Sequence, residues 1–109
     1  MDSLFFADSG EVRRWFADNC DSANEIWVGL YKKGASKSGI KMQEALDQAL
    51  CFGWIDTKGQ RIDDERWMVR FAPRRPKSNW SERNVARVEQ LIAEGVMAEP
   101  GLRAFERRR

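Results

Sequence analysis

No histidine occurs among the 109 residues. That removes the side chain that most often serves as general base near neutral pH, as metal ligand or as protonation switch. Cysteine is scarce as well. Cys20 and Cys51 stand too far apart for a Cys-x-x-Cys pair and fit no metal-ligand spacing, so neither a zinc site nor a dithiol centre has a ligand set, and no metal or cofactor is expected. A long apolar run is also missing. Met1 to Phe6 carries an aspartate at position 2 and a short apolar patch, far below a signal peptide's core or the ~20 residues of a membrane span. A reduced, cytoplasmic location without a membrane span is the expectation. Nor is there a charge excess to speak of: 19 basic and 17 acidic side chains leave +2, which by itself marks neither a nucleic-acid binder nor an acidic tail.

What is present belongs to a folded domain. A hydrophobic fraction of 42% with 11% aromatic residues exceeds that of disordered chains, and 33% charged residues suit a solvated surface. A chain of this length buries roughly two-thirds of its unfolded surface, enough for one core. A single domain over 1–109 follows.

Asp8 or Ser9 is placed to cap a first helix, with Glu11 three residues on, and Val12, Trp15 and Phe16 form its apolar stripe to about Asn19. The run 25–33, EIWVGLYKK, is apolar on both alternating faces and reads as a central strand covered on both sides. Gly34 to Gly39 reads as a solvated loop. Met42, Ala45, Leu46, Ala49 and Leu50 repeat at helical spacing, with Gly53 as a left-handed stop. Trp54 to Thr57 reads as a strand, Lys58-Gly59 as its turn, 60–63 as a short return, and Asp63, Asp64 and Glu65 as a polar reversal. From Arg66 to Ala72, Trp67, Val69 and Phe71 alternate with Arg66, Met68 and Arg70, so one side should be buried and the other wet. Pro73 and Pro76 then stiffen a basic segment. Ser81 is the natural cap of a third helix carrying Val85, Val88, Leu91 and Ile92 on one face, with Gly95 beyond its end. Pro100-Gly101 marks a further break, leaving 102–109 as a short charged helix start or tail. The expected fold is α+β: a small antiparallel or mixed sheet of about three to four strands packed with about three helices, since the middle strands are joined too tightly for parallel crossovers.

Charge is unevenly spread. Residues 66–87 hold seven basic side chains and one acidic one. Arg70, Arg74, Arg75, Lys77, Arg83 and Arg87 lie there among Trp67, Phe71 and Trp80, an arrangement suited to an anionic ligand or a nucleic acid. Ser78, Ser81 and Asn84 complete the candidate site, because the start of the Ser81 helix offers unpaired backbone amides to an anion. Ion pairing of these arginines with Asp56, Asp63, Asp64, Glu65 or Glu82 is the competing structural reading. Trp54 and Asp56 form a second candidate, in which a carboxylate beside bulky apolar groups either has its pKa raised and acts as a base or orients an arginine such as Arg70. Cys51, between Leu50 and Phe52 with no base nearby, reads as packing. Trp15 and Trp27 read as core.

Several stretches resemble the YdeI/OmpD-associated, or bacteriocin-protection, family: WF-x-x-N at 15–19, EIWVGLYKK at 25–33, EALDQALCFGWID at 44–56, RFAPRRPKSNWSERN at 70–84 and GVMAEPGLRAFERR at 95–108. The resemblance spans almost the whole chain in order. It implies a small bacterial α+β protein linked to tolerance of bacteriocins or cationic antimicrobial peptides, with no established reaction, and carries over Trp54, Asp56, Arg70, Pro73, Arg74, Lys77, Ser78, Trp80, Ser81 and Asn84 without assigned roles. It also implies that a mostly helical region present in longer members is absent here. Three functional classes remain open at this point: a non-enzymatic stress-tolerance protein binding an anion or nucleic acid through 70–87, an enzyme on a small anionic metabolite with Asp56 as base, and a protein-interaction module, dimeric if exposed aromatics such as Trp80 lie in an interface.

Overall fold

In the computed structural model, which describes residues 2–108, the chain forms four helices and a three-stranded antiparallel sheet. The elements run α1 (Ser9–Asn19), β1 (Ile26–Tyr31), α2 (Met42–Cys51), β2 (Trp54–Arg61), β3 (Arg66–Pro73), α3 (Glu82–Ala93) and α4 (Glu99–Glu106), with sheet order β1-β3-β2. The fold is α+β. Strand β3, not β1, is central; β1 is nevertheless covered on both faces.

The helix ends follow local chemistry. Asp8 caps α1 through its carboxylate, which accepts from the Glu11 amide at 2.9 Å, while Glu11 reaches back to the amide of Ala7 at 2.7 Å. Gly53 takes a φ of 81° just past α2, where a side chain would be strained. Its carbonyl also accepts the Arg74 amide at 3.0 Å, tying the end of β3 to the end of α2.

One sheet face carries Val28, Leu30, Trp54, Val69 and Phe71 into a core shared with Val12 and Phe16 of α1, Ala49 and Leu50 of α2, and Val88 and Leu91 of α3. Trp54 is 1% exposed and meets Trp15 and Phe16 edge to face at 5.7 and 5.3 Å. Cys51 is fully buried here, and burial pushes its thiol pKa up, in keeping with a packing role.

Several expectations are corrected. Trp54 to Arg61 is one strand with no turn at Lys58-Gly59. A bulge between Asp56 and Lys58 places the extra residue, Thr57, in the strand, so the predicted turn is absorbed as an irregularity. The chain reverses after Arg61, at the polar stretch Asp63 to Glu65 as expected, where Asp63 accepts the amides of Glu65 and Arg66, each at 2.9 Å. The second sheet face is not simply wet: Met68 is buried. The N-terminal segment covers it, with Leu4 bridging in parallel to Val28 and the Phe5 ring lying over Gly29, the register partner of Met68. Ile92, expected on the buried face of α3, is exposed. Helix α4 runs through Pro100-Gly101 instead of breaking there, because proline in a first helical turn forfeits an amide that has no intrahelical partner. Among the described residues no helix is long and apolar enough to cross a membrane.

Candidate functional site

The register of the sheet decides where the basic segment faces. Arg70 pairs with Trp27 on one side and Lys58 on the other, and Ala72 pairs with Ile55, all on the face turned away from the core. Beyond Pro73 the chain leaves the sheet, and Arg74, Arg75 and Ser78 fold over the same end. Arg70, Arg74, Arg75 and Ser78 line a cleft of about 710 Å³ together with Ile55, Ala72 and Pro73. That volume lies in the range of small-molecule sites.

Arg74 is the unusual member. The residue is 7% exposed, the only charged one that is buried among those described. Its guanidinium carbon stands 3.6 Å from the centroid of the Trp80 ring. One terminal nitrogen donates to Ser78 Oγ at 3.2 Å and to the Asn79 carbonyl at 3.1 Å. The remaining nitrogens, Nε and Nη2, are buried with no hydrogen-bond acceptor. Burial pushes the Arg74 pKa down to about 10, with Asp56 pulling the other way, so the group is still a cation at neutral pH. A buried cation with two idle donors is a costly arrangement unless something compensates it.

Arg70 is already engaged: Nε donates to Glu25 at 2.6 Å and Nη1 to Thr57 Oγ1 at 3.1 Å. Arg87 is likewise spent, forking onto Asp47 at 2.8 and 2.6 Å. By contrast, no ion pair joins Arg74, Arg75, Lys77 or Arg83 to a carboxylate among the described residues. The expected basic site is thus partly neutralised and partly open.

The other candidates separate from the cleft. Trp80 is half-buried, its ring 5.4 Å from that of Phe105, with Arg74 over one of its faces. Ser81 caps α3, its Oγ accepting the Asn84 amide at 3.1 Å; one of the helix-start amides expected for an anion is therefore satisfied, and neither residue lines the cleft. Lys77 is exposed and also lies outside the lining. Trp54 belongs to the core. Asp56 is exposed and outside the cleft; Glu25 and Thr57, not Asp56, orient Arg70.

Sequence reasoning missed Thr57 and Asn24, both of which line the cleft. Thr57 enters because of the bulge, and no residue signal announces a bulge there. Asn24 sits just before β1 and reaches the site only through the pairing of β1 with β3.

A family model described as a domain of unknown function, DUF8412, matches residues 4–104. The chain belongs to that family. No curated protein and no solved structure matches it.

Proposed function

We propose that this member of the DUF8412 family is a non-enzymatic binder of a small anion, a phosphorylated or carboxylated molecule seated between Arg74 and Arg75. The observation that carries this reading is the Arg74 guanidinium: buried in the cleft wall, cationic at neutral pH, with two donors unpaired and no carboxylate in ion-pair contact. An oxyanion in the cleft supplies the missing negative charge at short range in a poorly solvated setting, where charge-assisted contacts are strongest. Arg75, exposed at the rim, adds a second cation. The Trp80 face covered by Arg74 favours a compact anion over single-stranded nucleic acid, which requires open aromatic faces for base stacking. Asp56, exposed and outside the cleft, gives an enzymatic reading no base in position.

The sequence resemblance to the YdeI/OmpD-associated family supports a reading in which this binding serves bacterial tolerance of bacteriocins. A segment carrying seven basic side chains against one acidic repels cationic peptides, so protection would follow from the bound anion and not from capture of the peptide.

Titration calorimetry with pyrophosphate tests the reading. Binding at low salt should weaken as ionic strength rises, and Arg75→Ala, which removes a rim charge that braces nothing, should weaken it about fivefold. Absence of pyrophosphate binding at low salt sinks the proposal; tight binding of a thymidine oligonucleotide in its place would assign the cleft to nucleic acid.

A further inference from the structure

A second cleft, of about 480 Å³, lies at the opposite end of β1 from the Arg74 site, and its wall is cationic without a single carboxylate: Lys32, Lys33, Lys37 and Lys41 all line it. Its apolar lining includes Leu30, Tyr31, Ile40, Met42 and Trp67. None of the four lysines has an ion-pair partner among the described residues. Nearby carboxylates are otherwise engaged. Asp63 forks onto Arg66, Glu65 accepts the Ser36 amide at 2.6 Å, and Glu44 accepts the Lys41 amide at 2.9 Å.

The loop that carries the lysines is fastened to the rest of the fold. The Lys32 amide donates to the Glu65 carbonyl at 2.7 Å, and the Ile40 amide to the Phe6 carbonyl at 3.2 Å. With the Ser36 bond, that is three anchors along a short connection, two of them to the β2–β3 reversal and one to the N-terminal segment. A cation-rimmed apolar lining held in this way is preorganised for a ligand with two parts. The flat apolar part covers Trp67 and Met42, and the anionic head meets the lysine rim.

From this geometry we infer that the 32–41 loop forms a binding site for an amphipathic monoanion, an aromatic or alicyclic carboxylate or sulfonate, separate from the Arg74 cleft. The two sites differ in chemistry. The Arg74 cleft offers a buried guanidinium and suits a compact oxyanion, whereas the lysine site offers apolar area first and mobile ammonium groups second.

The probe is 8-anilinonaphthalene-1-sulfonate, titrated into the intact chain and read by energy transfer from tryptophan to the dye. Its uncharged analogue, N-phenyl-1-naphthylamine, keeps the apolar body and lacks the head. One dye should bind per chain, more tightly than the neutral analogue and with an affinity that falls as salt rises. Lys33→Gln with Lys37→Gln, both at exposed positions, should weaken the dye about fivefold and leave the neutral analogue unchanged. Arg75→Ala should not alter dye affinity, which separates this site from the Arg74 cleft. Equal affinity for the dye and its neutral analogue overturns the inference, as does a double variant that binds the dye like the parent. A loss of dye binding in Arg75→Ala would place the dye in the other cleft and overturn it as well.

Discussion

The Arg74 guanidinium lies over the Trp80 ring, 3.6 Å from its centroid, and that ring in turn meets Phe105 of α4 at 5.4 Å. A surface-charge candidate and an aromatic candidate thereby become one brace, linking the end of β3 through the 74–80 loop to the last helix.

Removing the ring should uncouple this brace. Trp80→Ala is expected to cost about 2–4 kcal/mol in urea denaturation, from lost burial plus a desolvated cation–π contact. Arg74→Lys keeps the charge but loses the guanidinium over the ring and the paired donation to Ser78 and Asn79, and should cost about 1–2 kcal/mol. A stability equal to the parent's in both variants would show that the contact carries no weight.

Glycine 101 gives an inverted helix-propensity result. Replacing a helical glycine by alanine usually gains about 1 kcal/mol. At Gly101 an added methyl would sit 2.2 Å from the Cys51 carbonyl oxygen and 2.5 Å from its carbon, so α4 would have to move off the end of α2. Gly101→Ala should therefore destabilise by about 2 kcal/mol or more, seen as a lower melting temperature together with increased exposure of Trp80 to acrylamide quenching.

Among the ion pairs, Asp47–Arg87 should stand apart. It is a two-bond fork with the carboxylate 15% and the guanidinium 28% exposed. A double-mutant cycle with alanine at both positions should return a coupling of about 1–2 kcal/mol, against under about 0.5 kcal/mol for the exposed Glu99–Arg103 pair.

Acid should probe the β2–β3 reversal. The Arg66 fork and the Glu65 amide hold Asp63 well below the usual carboxylate range, from 3.8 down to about 2. A carboxyl group whose pKa is depressed by folding contributes stability that is fully present above its unfolded value and is lost as pH falls through its folded value. Asp63→Asn, which can keep the two backbone bonds, should thus be less stable than the parent at neutral pH and converge with it between 3.8 and about 2. A difference in urea midpoint that persists unchanged through this window would remove the ion pair from the account.

Much of the fold was legible because its signals are local. The Asp8 and Ser81 caps, the Gly53 stop and the apolar stripe of α2 follow from dihedral preference and side-chain reach, and all occur where the residues place them. The signals failed where a distant segment supplied the missing half. Pro100-Gly101 looks like a break until Cys51 is seen to need a glycine against its carbonyl. Met68 alternates with arginines and looks wet until the Phe5 ring closes over its strand neighbour.

The amino-acid order by itself determined the α+β class, the absence of histidine chemistry and the crowding of positive charge into 66–87, since composition and short-range periodicity are properties of the chain alone. Which cations stay open was decided only by tertiary structure. Pairing β1 and β2 with β3 delivers Glu25 and Thr57 to Arg70, packing α2 on α3 delivers Asp47 to Arg87, and the turn after Pro73 folds Arg74 under Trp80 with no carboxylate in ion-pair contact. A charge is neutralised by what lies within a few ångströms of it, and that neighbourhood is assembled by long-range packing that residue spacing does not encode.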